Sequence, residues 1–133
     1  EELPEVLLIF PHALPSGMPR SIIGEELSSS LDFSDLLAIS DVVVSKLGYG
    51  IISECVASRV RLVYPRRTGF AEDRITESQM QAYVPIQEIS RHDYLAGRWA
   101  QSIRHVLEKP MPSATINAIG AQVCAEHIIA VSQ

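Results

Sequence analysis

Two glycines and a glutamate in the middle of the chain form the part of the sequence best suited to chemistry. They lie in the segment DVVVSKLGYGIISECVASRVRLVYPRR, which runs from Asp41 to Arg67. Its order predicts four local structures: a strand over 41–45, a glycine turn over 48–50, a helix over 51–58 and a strand over 61–64. A glycine turn at the start of a helix leaves N–H groups without intrahelical partners, and such groups attract phosphate. We therefore expect a phosphate-bearing ligand at this turn.

The position of Glu54 argues against a dinucleotide site of the usual kind. Gly48-x-Gly50 is shorter than the G-x-G-x-x-G fingerprint, and Glu54 follows only four residues later, where its carboxylate would repel a tightly packed pyrophosphate. A dinucleotide site has its acid about 20 residues further on. The basic pair Arg66-Arg67 at the end of the next strand leaves an NADP-type site as an alternative. If a nucleotide lies across the turn, the Glu54 oxygens can accept hydrogen bonds from the ribose hydroxyls. A tight turn that binds nothing is the third interpretation.

Further residues beside the turn complete the candidate site. The predicted nucleotide-binding set is Gly48, Tyr49, Gly50, Ile51, Ser53 and Glu54, with Lys46, Arg66 and Arg67 as phosphate or sugar contacts. Tyr49 offers a ring that can stack on a base or sugar, whereas Lys46 and the arginines are equally typical of a solvated surface. The four histidines, His12, His92, His105 and His127, lack the spacing of metal ligands, so no metal site is predicted.

Composition places the chain among globular proteins with one domain over residues 1–133. The net charge of −5 argues against nucleic acid as a partner, because such binding needs clustered lysine and arginine. No apolar run approaches the roughly 20 residues of a membrane span. Cys55 and Cys124 fall in helical patterns and are interpreted as buried, reduced thiols, which favours a cytoplasmic setting.

Strands and helices alternate along the rest of the chain. Strands are predicted over Pro4–Phe10, Ile22-Ile23 and Val84–Ile89. Helices are predicted from a Ser34 cap to Ile39, from a Thr76–Gln79 capping box to Tyr83, from Ser90 to Leu107, and over Ile116–Val131. This order predicts an α/β fold with a Rossmann-like parallel sheet flanked by helices.

The central motifs also carry a family resemblance. The order Asp-Val-Val-Val-Ser, Gly-x-Gly, Ser-Glu and Pro-Arg resembles the C-terminal, donor-binding lobe of GT-B glycosyltransferases of the peptidoglycan N-acetylglucosaminyltransferase kind. It is still more similar to the glycosyltransferase-like N-terminal region of plant L-arabinokinases, from about Asp32 to the end. The resemblance implies a lobe that binds a nucleotide-sugar, uridine-based, as substrate and needs no further cofactor. Gly48 and Gly50 would lie beside the diphosphate, and Glu54 would hold the ribose.

The sequence departs from that family in two respects: the residues expected to contact the donor sugar, and the parts of the family's fold that have a counterpart in this chain. Many such enzymes have an Asp/His-Gln pair after the next strand, where this chain has Glu72-Asp73-Arg74 and later Glu77-Ser78-Gln79. An N-terminal acceptor lobe and the first strand of the donor lobe have no counterpart, so Pro4–Phe10 would be the second strand. We expect the isolated chain to transfer no sugar. Because strand edges would be unpaired, we also expect it to form a homodimer, to exchange strands, or to move Pro4–Phe10 into the vacant place. The alternative class is a non-catalytic structural or interaction domain that keeps the fold without a ligand.

Overall fold

A computed structural model describes residues 7–10, 22–24, 32–117 and 119–132 of the chain. Strands and helices alternate along them. The strands are β1 (Leu8–Phe10), β2 (Ile22–Gly24), β3 (Val42–Val44), β4 (Arg61–Pro65) and β5 (Ile86–Ile89). The helices are α1 (Phe33–Ala38), α2 (Tyr49–Ser58), α3 (Glu72–Met80), α4 (Arg91–Leu95), α5 (Ala100–Glu108) and α6 (Gly120–Val131).

The strands form two parallel sheets. β1 pairs with β2, with Leu8 opposite Ile22. A second sheet has the order β3-β4-β5, with Val42 opposite Arg61 and Leu62 opposite Ile86. Within the described residues no ladder joins β1 to β3. The parallel sheet flanked by helices confirms the predicted α/β fold and is consistent with a Rossmann-like lobe.

The central strand β4 contributes side chains to both sides of the core. Leu62 and Tyr64 pack on one face with Cys55 of α2 and Met80 of α3. Val63 points to the opposite face, where it packs with residues of α5. Neighbouring residues of a strand face opposite ways, so one buried strand serves both layers. The three-stranded sheet is therefore covered on both faces, and its ends remain for a site.

The first described helix is capped two positions earlier than its sequence indicated. Asp32, not Ser34, is the N-cap of α1, and its Oδ1 accepts a hydrogen bond from the Asp35 amide at 3.0 Å. The Asp35 carboxylate accepts in return from the Asp32 amide at 3.1 Å. Two aspartates three residues apart thus satisfy both donors of a capping box, a role usually predicted from serine or threonine.

The predicted helix start at Thr76 is wrong. α3 begins at Glu72, and Thr76 lies one turn inside it, buried, with its hydroxyl donating to the Glu72 carbonyl at 2.8 Å. The Thr-x-x-Gln spacing is therefore a mid-helix pattern here, because a threonine hydroxyl can bond back to the preceding turn.

The long helix predicted from Ser90 to Leu107 is two helices. Ser90 does cap α4, and its Oγ accepts from the Asp93 amide at 3.0 Å. The helix then breaks at Gly97, which has φ of 69°, a conformation that favours glycine. Trp99 closes the break by donating from its indole nitrogen to the Tyr94 carbonyl at 2.9 Å.

The C-terminal helix is shorter than predicted and differs in burial. α6 begins at Gly120 rather than Ile116, and its described side chains are exposed, including Val123, Ile128 and Ile129. Cys55 is buried as predicted, but Cys124 is exposed, because α6 packs none of its side chains into the described core. No helix in the described part of the chain is both long and apolar enough to cross a membrane.

Two sequence predictions extend beyond what the structure describes. Strand β1 begins at Leu8, so Leu7 lies outside it, and residues 4–6 of the predicted strand lie outside the described residues. His12 lies outside them as well.

Candidate functional site

The carboxyl ends of β3, β4 and β5 meet at one edge of the parallel sheet, here called the carboxyl edge. The segment after β3 leads into α2, the segment after β4 leads into α3, and the segment after β5 leads into α4. Ligands of open α/β sheets bind at this edge. The predicted site residues that follow β3 and β4 therefore face a common region.

The glycine turn begins α2 without a side-chain cap. Gly48 is the N-cap residue, and its carbonyl accepts the hydrogen bond from the Ile52 amide at 3.0 Å. Tyr49 and Gly50 form the start of the helix and are exposed, whereas Ile51 packs against the core. The first-turn N–H groups of a helix have no intrahelical acceptors. They present a partial positive charge at the carboxyl edge.

Neither glycine of the turn is required by crowding within the described structure. A Cβ built on Gly48 or on Gly50 meets no heavy atom within 4 Å. Gly48 has φ of −128°, an extended conformation that any residue adopts. Glycine at such places permits close approach of something outside the chain to the backbone.

Ser53 and Glu54 lie further along α2, away from its first turn. The Ser53 hydroxyl donates to the Tyr49 carbonyl at 2.8 Å. Glu54 is half-buried and, with Ser53, lines a groove of about 470 Å³ between α2 and α3. The groove extends past Val56 to Tyr83, just before β5, and is closed by residues 116, 117 and 120. Ser53 and Glu54 contribute to its lining from α2, and Thr76, Gln79 and Met80 do so from α3.

The other end of α2 anchors the segment that leads into α6. Arg59 ends the helix in the left-handed conformation, with φ of 55°. Its guanidinium donates to the carbonyl oxygens of Pro112 at 2.6 Å and Ala114 at 3.2 Å.

Arg66 lies at the carboxyl edge but contacts two carboxylates. Its Nη2 lies 2.5 Å from Glu77 Oε2 and 3.0 Å from Glu88 Oε2. The hydrogen bond to Glu77 is the main reason that the pKa of Arg66 is raised. Burial, followed by hydrogen bonding to Glu77, raises the pKa of Tyr64. Arg66 would have to exchange a carboxylate for phosphate in order to bind a ligand.

Arg67 holds a buried aspartate. Asp73 is 1% exposed and accepts hydrogen bonds from the Arg67 amide at 3.0 Å and from its Nε at 3.1 Å. The bond to the Arg67 side chain is the largest cause of the lowered pKa of Asp73, and it outweighs the opposing effect of desolvation. Because this pair fixes the start of α3, Arg67 has a structural role that the sequence did not indicate.

Phe70 also lies beside this pair, and sequence analysis did not single it out. The Arg67 guanidinium carbon lies 3.8 Å from the centroid of the Phe70 ring. The side chain of Phe70 is 46% exposed. Tyr49 lies close enough to contribute to the raised pKa of Arg67, after stronger contributions led by the hydrogen bond to Asp73. An exposed aromatic side chain in a segment at the carboxyl edge is the signal that sequence reasoning could have used.

The segment after β5 carries a polar cluster with no arrangement for nucleophilic catalysis. Ser90 Oγ donates to the Asp93 carboxylate at 2.6 Å rather than to a histidine. Arg98 donates to Asp93 at 2.8 Å and lies 2.6 Å from His92 Nδ1. The bond from Ser90 is the first cause of the lowered pKa of Asp93. Among the described residues, no three His, Cys, Asp or Glu side chains are grouped so that they could hold a metal ion.

Comparison with known proteins gives one informative relative. L-arabinokinase of Arabidopsis thaliana is 34% identical to this chain over 96 residues, which cover 71% of the chain. This identity supports a distant relationship between the two proteins. The chain spans only 9% of the length of that relative. No family model and no solved structure matches.

Proposed function

We propose that the chain is the donor-binding lobe of a glycosyltransferase-like protein and binds a uridine-based nucleotide-sugar at the start of α2. The uncapped first turn of α2, opened by Gly48 and Gly50 at the carboxyl edge, is the observation that carries the proposal. The distant relationship to L-arabinokinase supports it, since that protein is named for a reaction on a sugar.

The diphosphate would lie against the N–H groups of residues 49–51. In a complete enzyme these groups would stabilise the charge that develops on the leaving diphosphate as the glycosidic bond breaks, which is an electrostatic role. Glu54 would accept hydrogen bonds from the ribose hydroxyls at the rim of the groove. Lys46 is exposed beside the turn and remains a candidate phosphate contact.

Titration calorimetry with UDP tests the site most directly, using a Gly50→Ala variant. Alanine is the better helix former by roughly 0.5–1 kcal/mol, so the variant should fold with unchanged or slightly higher stability. Its Cβ would occupy the space that the diphosphate needs, so UDP affinity should fall at least tenfold. Glu108→Ala is the control, because Glu108 is exposed at the end of α5 and belongs neither to the glycine turn nor to the groove.

A Glu54→Gln variant separates the ribose contact from the diphosphate contact. Hydrogen bonds to a charged partner contribute roughly 1.5–3 kcal/mol, so UDP should bind about tenfold or more weakly while pyrophosphate binding stays unchanged. Equal losses for both ligands would remove the ribose role. Unaltered UDP affinity in Gly50→Ala would exclude the glycine turn as the site.

A non-catalytic interaction domain is the second candidate function. The exposed apolar side chains of α6 favour it, because a helix of this kind usually packs against another surface. The carboxylate contacts of Arg66 and Arg67 weaken the NADP-type alternative, which needs an available arginine. If millimolar UDP, GDP and ADP all leave the amides of residues 48–51 unperturbed, the interaction domain becomes the better interpretation.

A further inference from the structure

Phe70 presents a prepared aromatic surface at the carboxyl edge. One face of its ring is covered by the Arg67 guanidinium at 3.8 Å, yet the side chain remains 46% exposed. An exposed aromatic ring leaves a large apolar area in contact with water, which is unfavourable in free energy. Such a ring stacks readily on planar ligands.

The contacts around Phe70 fix it in place. Arg67 is held by the Asp73 carboxylate, which accepts from both its backbone and its side chain. The Phe70 carbonyl accepts from the Asp73 amide at 3.3 Å, which ties the same segment to the start of α3. A stacking surface held in this way loses little conformational freedom when a ligand arrives.

Phe70 lies at the same edge of the sheet as the proposed nucleotide. The residue lies between the end of β4 and the start of α3, beside the strand whose neighbour leads into the glycine turn. Because β3 and β4 are parallel neighbours, the segment before α2 and the segment that holds Phe70 both leave the sheet at this edge.

We propose that Phe70 forms the stacking surface for the nucleobase of the bound nucleotide. This inference rests on the proposed function, and it adds a residue that the sequence motif does not contain. The base lies on the ring with Arg67 on the opposite face, so the cation strengthens a stack that any base can make. Stacking of this kind predicts modest preference among UDP, GDP and ADP.

Affinities for UDP, UDP-glucose and pyrophosphate test the proposal in wild type and in Phe70→Ala. The variant should bind UDP and UDP-glucose about tenfold more weakly and pyrophosphate as wild type does, because only the base is lost from its surface. Phe70→Trp should restore UDP binding, whereas Phe70→Leu should not. Leu107→Ala is the control, since that side chain is similarly exposed, at 42%, near the far end of α5.

The outcomes separate this inference from the function on which it rests. Strong UDP binding that Phe70→Ala leaves unchanged overturns the stacking role and keeps the nucleotide site. If Phe70→Ala loses affinity for UDP-glucose alone, the ring contacts the sugar rather than the base. If the variant loses affinity for pyrophosphate equally, Phe70 maintains the conformation of its segment. Either result overturns the proposal. Wild-type protein that binds none of the three ligands refutes the proposed function together with this inference.

Discussion

Asp73 is a charged side chain that the fold keeps ionised although it is buried. Its hydrogen bonds from Arg67 lower its pKa more than desolvation raises it. A carboxyl group whose folded-state pKa lies below its unfolded value stabilises the fold above that unfolded value, near 3.9 for aspartate. The contribution is lost as the pH falls through the lower folded-state pKa.

We expect Asp73→Asn to lower stability at pH 7 and to flatten its acid dependence. Leaving the Arg67 guanidinium without its carboxylate should cost on the order of 2–3 kcal/mol. Below about pH 4 the difference from wild type should shrink progressively, because the unfolded wild-type chain takes up a proton at this carboxyl before the folded protein does. Urea midpoints from pH 7 to pH 2.5 measure both effects. Asp41→Asn, on an exposed residue, is the control; identical acid dependence in all three proteins would contradict the prediction.

The sequence predicted the turn between β3 and α2 better than the contacts around it. Gly48 and Gly50 could be predicted, because a turn between a strand and a helix is a local signal. The partners of Arg66 and Arg67 could not, since the carboxylates that contact them approach from α3 and β5 only after folding. For the same reason spacing alone gave no indication of Phe70.

The break between α4 and α5 shows how one backbone conformation overrides a helical pattern. Gly97 has φ of 69°, and the chain resumes helical structure only at Ala100. The break lets Trp99 stack beside Tyr94, with ring centroids 6.2 Å apart, and both pack against the core.

Gly97→Ala should destabilise the protein by about 1–2 kcal/mol, the cost of the left-handed conformation for a residue with a Cβ. No described atom lies within 4 Å of that Cβ, so steric contact adds nothing. Thermal unfolding next to Gly120→Ala measures the effect. Equal melting temperatures for the two variants would show that the break does not depend on glycine.

The strand predicted from the valine run and the glycine turn matched their predictions, whereas the helix starts predicted from Ser34 and Thr76 did not. The valine run of β3 and the glycine turn before α2 needed no tertiary information. The start of α3 depends on Asp73 being held by Arg67, and the division of the penultimate helix depends on packing against the sheet. Neither the start of α3 nor this division can be predicted from the spacing of apolar residues.

At the scale of the whole molecule, one strand edge and one apolar helix surface are open in the described structure. β3 is the edge strand of its sheet, although its three valines are typical of a strand with neighbours on both sides. α6 exposes Val123, Ile128 and Ile129. Surfaces of this kind recruit partners.

We expect the isolated chain to self-associate, and Ile128→Glu with Ile129→Glu to weaken that association. Light scattering across a concentration series measures it, and labelling with iodoacetamide gives a second measurement. Cys124 should react in the monomer and be protected in the assembly. Cys55 should stay unlabelled in both, because it is fully buried and burial raises its pKa to about 12. A monomer at every concentration, with Cys124 fully reactive, would refute the prediction.

The two ends of α2 have different roles, and Arg59 determines the role of the carboxyl end. A glycine would adopt its left-handed backbone more readily, but would leave the Pro112 and Ala114 carbonyls without their donors. Helix α2 therefore has no side-chain cap at its amino end, and at its carboxyl end Arg59 holds the segment that leads into α6. Any shift of α2 along its axis would carry Arg59 and its hydrogen-bonded carbonyls with it. Such a shift would move the segment around Pro112 and Ala114, which precedes α6.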